Sequence, residues 1–155
     1  LTMTDALNNT TQYEYDQLGR RTKIIYPDNT FETFAYDCCG LSSKTDANGN
    51  TTQYVYDVNH RLLKVIDALA GATQYEYDAA GNRSAVLDAN NNRTEYAYDA
   101  VNRLVKVTYA DNATEVYAYD AAGSRLTKID GRGVVTHYDY DELNRLVKTD
   151  AQTSQ

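Results

Sequence analysis

Polar and apolar positions alternate every second residue through short stretches, each closed by a polar break. In Thr51-Thr52-Gln53-Tyr54-Val55-Tyr56-Asp57, the rings of Tyr54 and Tyr56 fall on one side and Gln53 and Val55 on the other. That is the two-residue period of a half-buried strand, built from residue types that suit a pleated surface. After the break comes a second strand, as in Leu104-Val105-Lys106-Val107-Thr108. Leu104 and Val105 fall on opposite faces, so the pattern leaves open which face of this second strand is buried. The breaks Gln17-Leu18-Gly19, Ala79-Ala80-Gly81 and Glu142-Leu143-Asn144 end on Gly or Asn, residues that tolerate positive φ. Asn48-Gly49 reads as a two-residue hairpin turn with both residues at positive φ. No stretch has a helical period.

This unit recurs along the whole chain. Tyr-Asp pairs stand at 15/16, 36/37, 56/57, 77/78, 98/99, 119/120 and 140/141, a period of 21 residues with a single step of 20. A fixed period of this length marks a repeat array. The copies run near 5–25, 26–45, 46–66, 67–87, 88–108, 109–129 and 130–150. Their shared motif comprises Tyr15, Asp16 and Arg20; Tyr36 and Asp37; Tyr54, Tyr56, Asp57 and Arg61; Tyr75, Tyr77, Asp78 and Arg83; Tyr96, Tyr98, Asp99 and Arg103; Tyr117, Tyr119, Asp120 and Arg125; and Tyr138, Tyr140, Asp141 and Arg145. Copy two diverges most, with Phe34 for the first Tyr, Leu41 in the Arg place, and one residue fewer.

The expected fold is all-β: about seven 21-residue hairpins forming one long antiparallel sheet, which should curve because open twisted sheets of more than about ten strands curl. Leu1 to Asp5 match the end of a preceding copy and the chain stops as another copy turns, so it reads as a single fragment cut at both ends, without the capping repeats an array end requires. Unpaired edge strands lead to the expectation that it self-associates or frays.

Composition changes this picture in one respect. Leu, Ile, Val and Phe number 12, 4, 11 and 2 of 155 residues, under a fifth, with a net charge of -7, a balance that borders on disorder. The periodic placement of 15 tyrosines offsets it, because each ring can bury a large area. The rings are therefore expected to pack internally. The acidic balance argues against nucleic acid and anionic membrane as partners, and no apolar run approaches the roughly 18 residues of a membrane span.

Candidate chemistry reduces mainly to the turns. Asp16, Asp57, Asp78, Asp99, Asp120 and Asp141 are placed to accept backbone N–H groups of their own turns, and Arg20, Arg61, Arg83, Arg103, Arg125 and Arg145, four or five residues on, are placed to pair with them. Equivalent acids in every copy supply no asymmetric acid and base, so no enzyme is expected. Asp46, Asn48, Asn50 and Asp57 fit a calcium-loop count at positions 1, 3, 5 and 12, but Thr51 stands where that loop requires Gly. His60 and His137 have no partner at ligand spacing, and no metal or cofactor is expected. Cys38 and Cys39 occupy turn positions filled by alanine or valine elsewhere and read as small apolar substitutes, with a vicinal disulfide as the alternative.

Tyr15-Asp16-Gln17-Leu18-Gly19-Arg20, the Asp46-Ala47-Asn48-Gly49-Asn50-Thr51-Thr52 that precedes the next Tyr-x-Tyr-Asp, and the run Tyr77-Asp78-Ala79-Ala80-Gly81-Asn82-Arg83 resemble the YD repeat of the Rhs family. The resemblance covers essentially the whole chain. It implies bacterial Rhs and wall-associated proteins, the C components of insecticidal toxin complexes, and teneurins, in which such repeats form a spiralling β-shell. In the bacterial members that shell encloses a toxic C-terminal domain. The implied partners are neighbouring YD repeats and an enclosed effector domain, and the implied place is outside the cell or on its surface. The conserved C-terminal core motif, where the toxin is released, has no match here. The alternative is a surface module whose rings bind carbohydrate or a partner protein.

Overall fold

The computed structural model describes residues 1–153, which form only strands and turns. The strands are β1 (Thr2–Thr4), β2 (Thr10–Tyr15), β3 (Arg21–Ile25), β4 (Phe31–Tyr36), β5 (Leu41–Thr45), β6 (Thr51–Tyr56), β7 (Leu62–Ile66), β8 (Ala72–Tyr77), β9 (Arg83–Leu87), β10 (Arg93–Tyr98), β11 (Leu104–Thr108), β12 (Thr114–Tyr119), β13 (Arg125–Ile129), β14 (Val134–Tyr140) and β15 (Leu146–Thr153). They lie in chain order. β1 pairs antiparallel with β2, Thr2 opposite Gln12. By compactness the chain divides into residues 1–74 and 75–155, the division falling inside β8. Within each unit strands adjacent in sequence pair antiparallel, as from β2 to β5 and from β12 to β15.

The loops share one backbone except the one opened by Asp37, which is a residue shorter and closes with the Asp37 N–H donating to the Gly40 carbonyl (3.0 Å). In the loop opened by Asp16, its N–H donates to the Arg20 carbonyl (2.9 Å) and the Gly19 N–H donates to the Asp16 carbonyl (3.0 Å). The fourth residue of each loop has positive φ, supplied by eight non-glycine residues and six glycines. This corrects the reading of Asn48-Gly49. Gly49 alone is at positive φ (84°), so the connection is a three-residue loop, a turn followed by one left-handed residue. The reason is Asp46, whose Oδ1 accepts the N–H groups of Asn48 and Asn50, both at 2.9 Å, and so fixes the wider loop.

Ala70 holds one of these positions at φ 65°. A Cβ there costs about 1–2 kcal/mol, while glycine costs about 0.4–1 kcal/mol in unfolded-chain entropy. Ala70→Gly is therefore expected to stabilise the chain by about 0.5–1 kcal/mol, read as a higher urea midpoint. An unchanged or lower midpoint would contradict it.

A bulge settles which face of the second strand is covered. Tyr96 lies opposite Val107 and Ala97 opposite Lys106, but Tyr98 lies opposite Leu104, leaving Val105 as the extra residue. The same slip occurs beside Tyr15, Tyr36, Tyr56, Tyr119 and Tyr140. Leu104 and Val107 thus share the tyrosine face despite their odd spacing. Val107 is 5% exposed, and Ile24, opposite Tyr13, is 8% exposed. On the other face Val116 and Ile129 lie opposite each other, each 37% exposed. Ala85, fully buried on that face, belongs to β9, the strand that Arg93 of β10 spans to reach Glu76 of β8. Ile24, Ala85 and Val107 are the only buried apolar residues described. The rings pack, but as a covering over a thin sheet and not as an enclosed core.

Candidate functional site

The motif residues assemble at the loops into a clasp joining one copy to the next. Asp99 Oδ1 accepts the N–H groups of Val101 (3.0 Å) and Arg103 (2.9 Å), and its Oδ2 accepts Arg103 Nε at 2.7 Å. The same guanidinium donates to the carbonyl of Asp120 in the following copy (2.8 Å) and lies 5.0 Å from the centre of the Tyr119 ring. The Tyr119 hydroxyl donates back to the Leu104 carbonyl at 2.8 Å. Arg20 repeats this arrangement with Asp16, the Asp37 carbonyl and the Tyr36 ring, and Tyr36 donates to the Arg21 carbonyl. Arg61 with Asp57 and Arg145 with Asp141 form the same carboxylate pair at 2.7 Å. Tyr98 and Tyr140 donate in the same way to the carbonyls of Arg83 and Arg125.

Two expected pairs do not form. Arg83 and Arg125 stand five residues after their aspartates, and the fourth position belongs to Asn82 and Ser124. Asn82 donates to Asp78 Oδ2 (3.0 Å) and to Asn102 Oδ1 in the next copy (2.7 Å). Ser124 donates its N–H to Asp120 Oδ1 and its hydroxyl to Asn144 Oδ1. One residue further on, the chain has entered the strand. Arg83 lies over the Tyr96 ring at 5.1 Å and Arg125 over Tyr138 at 4.3 Å, where Arg125 Nε has no hydrogen-bond partner among the described residues.

Since Tyr119 and Arg103 fasten one clasp from both sides, Tyr119→Phe is expected to lose about 1 kcal/mol. In a double-mutant cycle with Arg103→Ala it should show a non-zero coupling, whereas strict additivity would separate the two contacts.

Asp16, Asp46, Asp57, Asp78 and Asp88 are held ionised. The Arg20 and Arg61 backbone N–H groups are the main cause for Asp16 and Asp57, with the guanidinium hydrogen bond adding to them, and both pKa values fall below the ordinary 3.8. For Asp46, Asp78 and Asp88 the chief cause is the asparagine side chain four residues on. A shallow concavity of about 520 Å³ is lined by Met3, Asp5, Tyr26 and Asp28 among others. Its two acids are both shifted downward by local hydrogen bonds, so neither is held protonated as a general acid would have to be.

Sequence reasoning missed a second pair of sites. Glu32 and Lys44 form an ion pair at 3.0 Å, and Glu115 and Lys128 one at 2.9 Å. All four lie on the tyrosine face, where other copies carry pairs such as Thr52 with Val65. Glu115 also accepts the Tyr117 hydroxyl. Burial, then that carboxylate, pushes the Tyr117 pKa up. The signal was present: the two copies that open with Tyr26 and Tyr109 instead of Asp change both positions together.

Copy two carries the other departure. Cys38 and Cys39 have Sγ atoms 3.0 Å apart, and with the Asp37 carboxylate they form a group whose ligand atoms all lie within 4.8 Å of one another. The hydrogen bond shared with Cys38, then burial, pushes the Cys39 thiol up to about 11. It is therefore a poor nucleophile at neutral pH. His60, exposed on the next copy's loop, places Nδ1 3.2 Å from the Cys39 carbonyl, and His137 is exposed on β14.

The family model described as RHS Repeat matches residues 1–30, 40–72, 56–92, 77–114 and 119–155. No curated protein matches the chain. Among solved structures, TcdB2-TccC3 aligns over 94% of the chain at 20% identity and a TM-score of 0.80. TcdB2-TccC3-Cdc42 aligns over 94% at 20% identity with a TM-score of 0.79. The Photorhabdus luminescens Tc holotoxin pore with a TccC3 mutation aligns over 95% at 19% identity with a TM-score of 0.76. The chain spans 9% of the length of each of these chains, and the likeness is one of fold.

Proposed function

Because the chain belongs to the RHS repeat family, we propose that it is a length of wall in an Rhs-type β-shell that encloses or displays a C-terminal toxin or effector domain. Its role in this reading is mechanical and non-catalytic, and it serves outside the cell or at its surface. The observation that carries the proposal is the clasp: guanidinium and tyrosine hydroxyl fasten copy one to copy two and copy five to copy six through backbone carbonyls. Asn82 and Ser124 make side-chain links at two other junctions, which suits an array loaded along its length more than a reaction centre. In this role the Tyr, Asp and Arg positions of each copy are its structural repeat motif. The fold likeness to chains of toxin complexes supports it. No helix among the described residues is long and apolar enough to cross a membrane.

A carbohydrate-binding face draws less support, because arginines already lie over Tyr36, Tyr96, Tyr119 and Tyr138. The test is to read the coding sequence on both sides and to treat the complete protein with protease. The expected result is further repeats and a C-terminal tail that resists cleavage until the repeats melt. A surface anchor in place of that tail, or a tail cut while the strands stay intact, would overturn enclosure. Saturable glycan binding that perturbs Tyr15 and Tyr109, 46% and 40% exposed, would favour the binding module.

A further inference from the structure

We propose that the loop between β4 and β5 is a binding site for a soft, thiophilic divalent cation, held by the sulfurs of Cys38 and Cys39 and by Oδ2 of Asp37. Two departures of copy two converge there. In the loops of Asp16, Asp57 and Asp99, Oδ1 holds the backbone and Oδ2 is neutralised by the Arg four residues on. Asp37 keeps the first half of this arrangement: Oδ1 accepts the N–H groups of Cys39 (2.8 Å) and Gly40 (3.0 Å). The second half is gone, because this loop is one residue shorter and Gly40, which has no side chain, takes the place that Arg20 holds in its loop, Leu41 already lying opposite Tyr36 in the ladder. Among the described residues Asp37 Oδ2 has no hydrogen-bond partner. Where the chain withdraws the cation that satisfies this oxygen elsewhere, it supplies two thiols.

The donor set has a chemical preference. Thiolates select soft ions, while one carboxylate oxygen adds charge without excluding them. A tetrahedral ion bound at about 2.3 Å to each sulfur needs them roughly 3.8 Å apart. The Sγ atoms are 3.0 Å apart on one exposed and one half-exposed side chain, so side-chain rotation can open that gap. The neighbouring cation does not compete: the Arg20 guanidinium reaches the Asp37 carbonyl at 3.4 Å but is paired with Asp16. Binding breaks two S–H bonds, forms two metal–sulfur bonds and one metal–oxygen bond, and releases two protons to water with no change of oxidation state.

The site is independent of the shell role, and its test does not involve cargo. The chain, kept reduced with a phosphine, is titrated with Cd²⁺ alone while the ultraviolet thiolate-to-metal charge-transfer band and proton release are followed. The expected result is a band saturating at one ion per chain, lost in Cys38→Ser and in Cys39→Ser. Asp37→Asn retains an Oδ1 acceptor for the loop and removes the charge on Oδ2, so it should fold normally and bind at least about tenfold more weakly. Absence of the band in the parent chain, one ion bridging two chains, or a single-cysteine variant that binds as the parent does would each overturn the proposal. So would an Asp37→Asn chain of unchanged affinity.

Discussion

Acidification below about pH 4 is expected to destabilise the chain progressively, read as falling melting temperature and loss of its β circular dichroism. The physical cause is distributed. Asp5, Asp16, Asp28, Asp46, Asp57, Asp78, Asp88, Asp99, Asp130 and Asp141 all have pKa values lowered from 3.8 by hydrogen bonds inside their own loops. The sign follows from linkage. A carboxylate whose pKa is depressed in the folded state contributes stability that is fully present above 3.8 and disappears as pH falls through its lower folded value. Each exposed loop contributes modestly, but ten act in the same direction over the same interval. The check is a series of thermal melts from pH 7 to pH 2. A transition temperature that stays flat to pH 3 would refute the account. Because backbone N–H groups lead for several of these acids, moderate salt should shift the transition little, unlike one resting on surface ion pairs. Asp57→Asn, which retains an acceptor for the loop and loses the titrating charge, should lower stability at pH 7 and weaken the pH dependence.

Val107→Asp is the point substitution expected to do most damage. Val107 is 5% exposed, opposite Tyr96 on the tyrosine face. A carboxylate there would stand directly opposite Glu115, whose own cation, Lys128, is already paired with it, and a buried charge left without a partner costs about 3–5 kcal/mol. That is a large fraction of the roughly 5–15 kcal/mol that holds a typical domain folded. In an array whose copies contact mainly their neighbours, the loss should be local. Hydrogen exchange should show protection collapsing across β10 to β12 while β2 to β5 keep theirs. Uniform loss along the chain, or none, would contradict it. A second substitution, Tyr96→Lys, places a cation opposite the new acid and should recover part of the loss.

Most of this architecture was legible from spacing. Tyr54 and Tyr56 with Gln53 and Val55 give the strand, Gly19 and Asn144 give the loop ends, and the Tyr-Asp period gives the order of strands. What escaped was decided by single-residue offsets that composition does not display. Leu104 and Val105 looked irreconcilable because an alternating pattern assumes an unbroken ladder, and the bulge removes that assumption. Arg83 and Arg125 look interchangeable with Arg20 in sequence, yet one extra residue carries each out of the loop and onto a ring. The lysines of copies two and six were hidden differently: Lys44 and Lys128 sit at apolar positions, and only their joint change with Glu32 and Glu115 explains them.

The thinness of the sheet has a thermodynamic consequence. With Ile24, Ala85 and Val107 as the only buried apolar residues described, unfolding exposes little new hydrocarbon, so its heat-capacity increment should fall below the usual 12–15 cal/mol/K or so per residue. A small increment flattens the dependence of stability on temperature. The chain should then lose little on cooling and keep a nearly constant unfolding enthalpy, its folded state governed by hydrogen-bond geometry far more than by the solvation of oil.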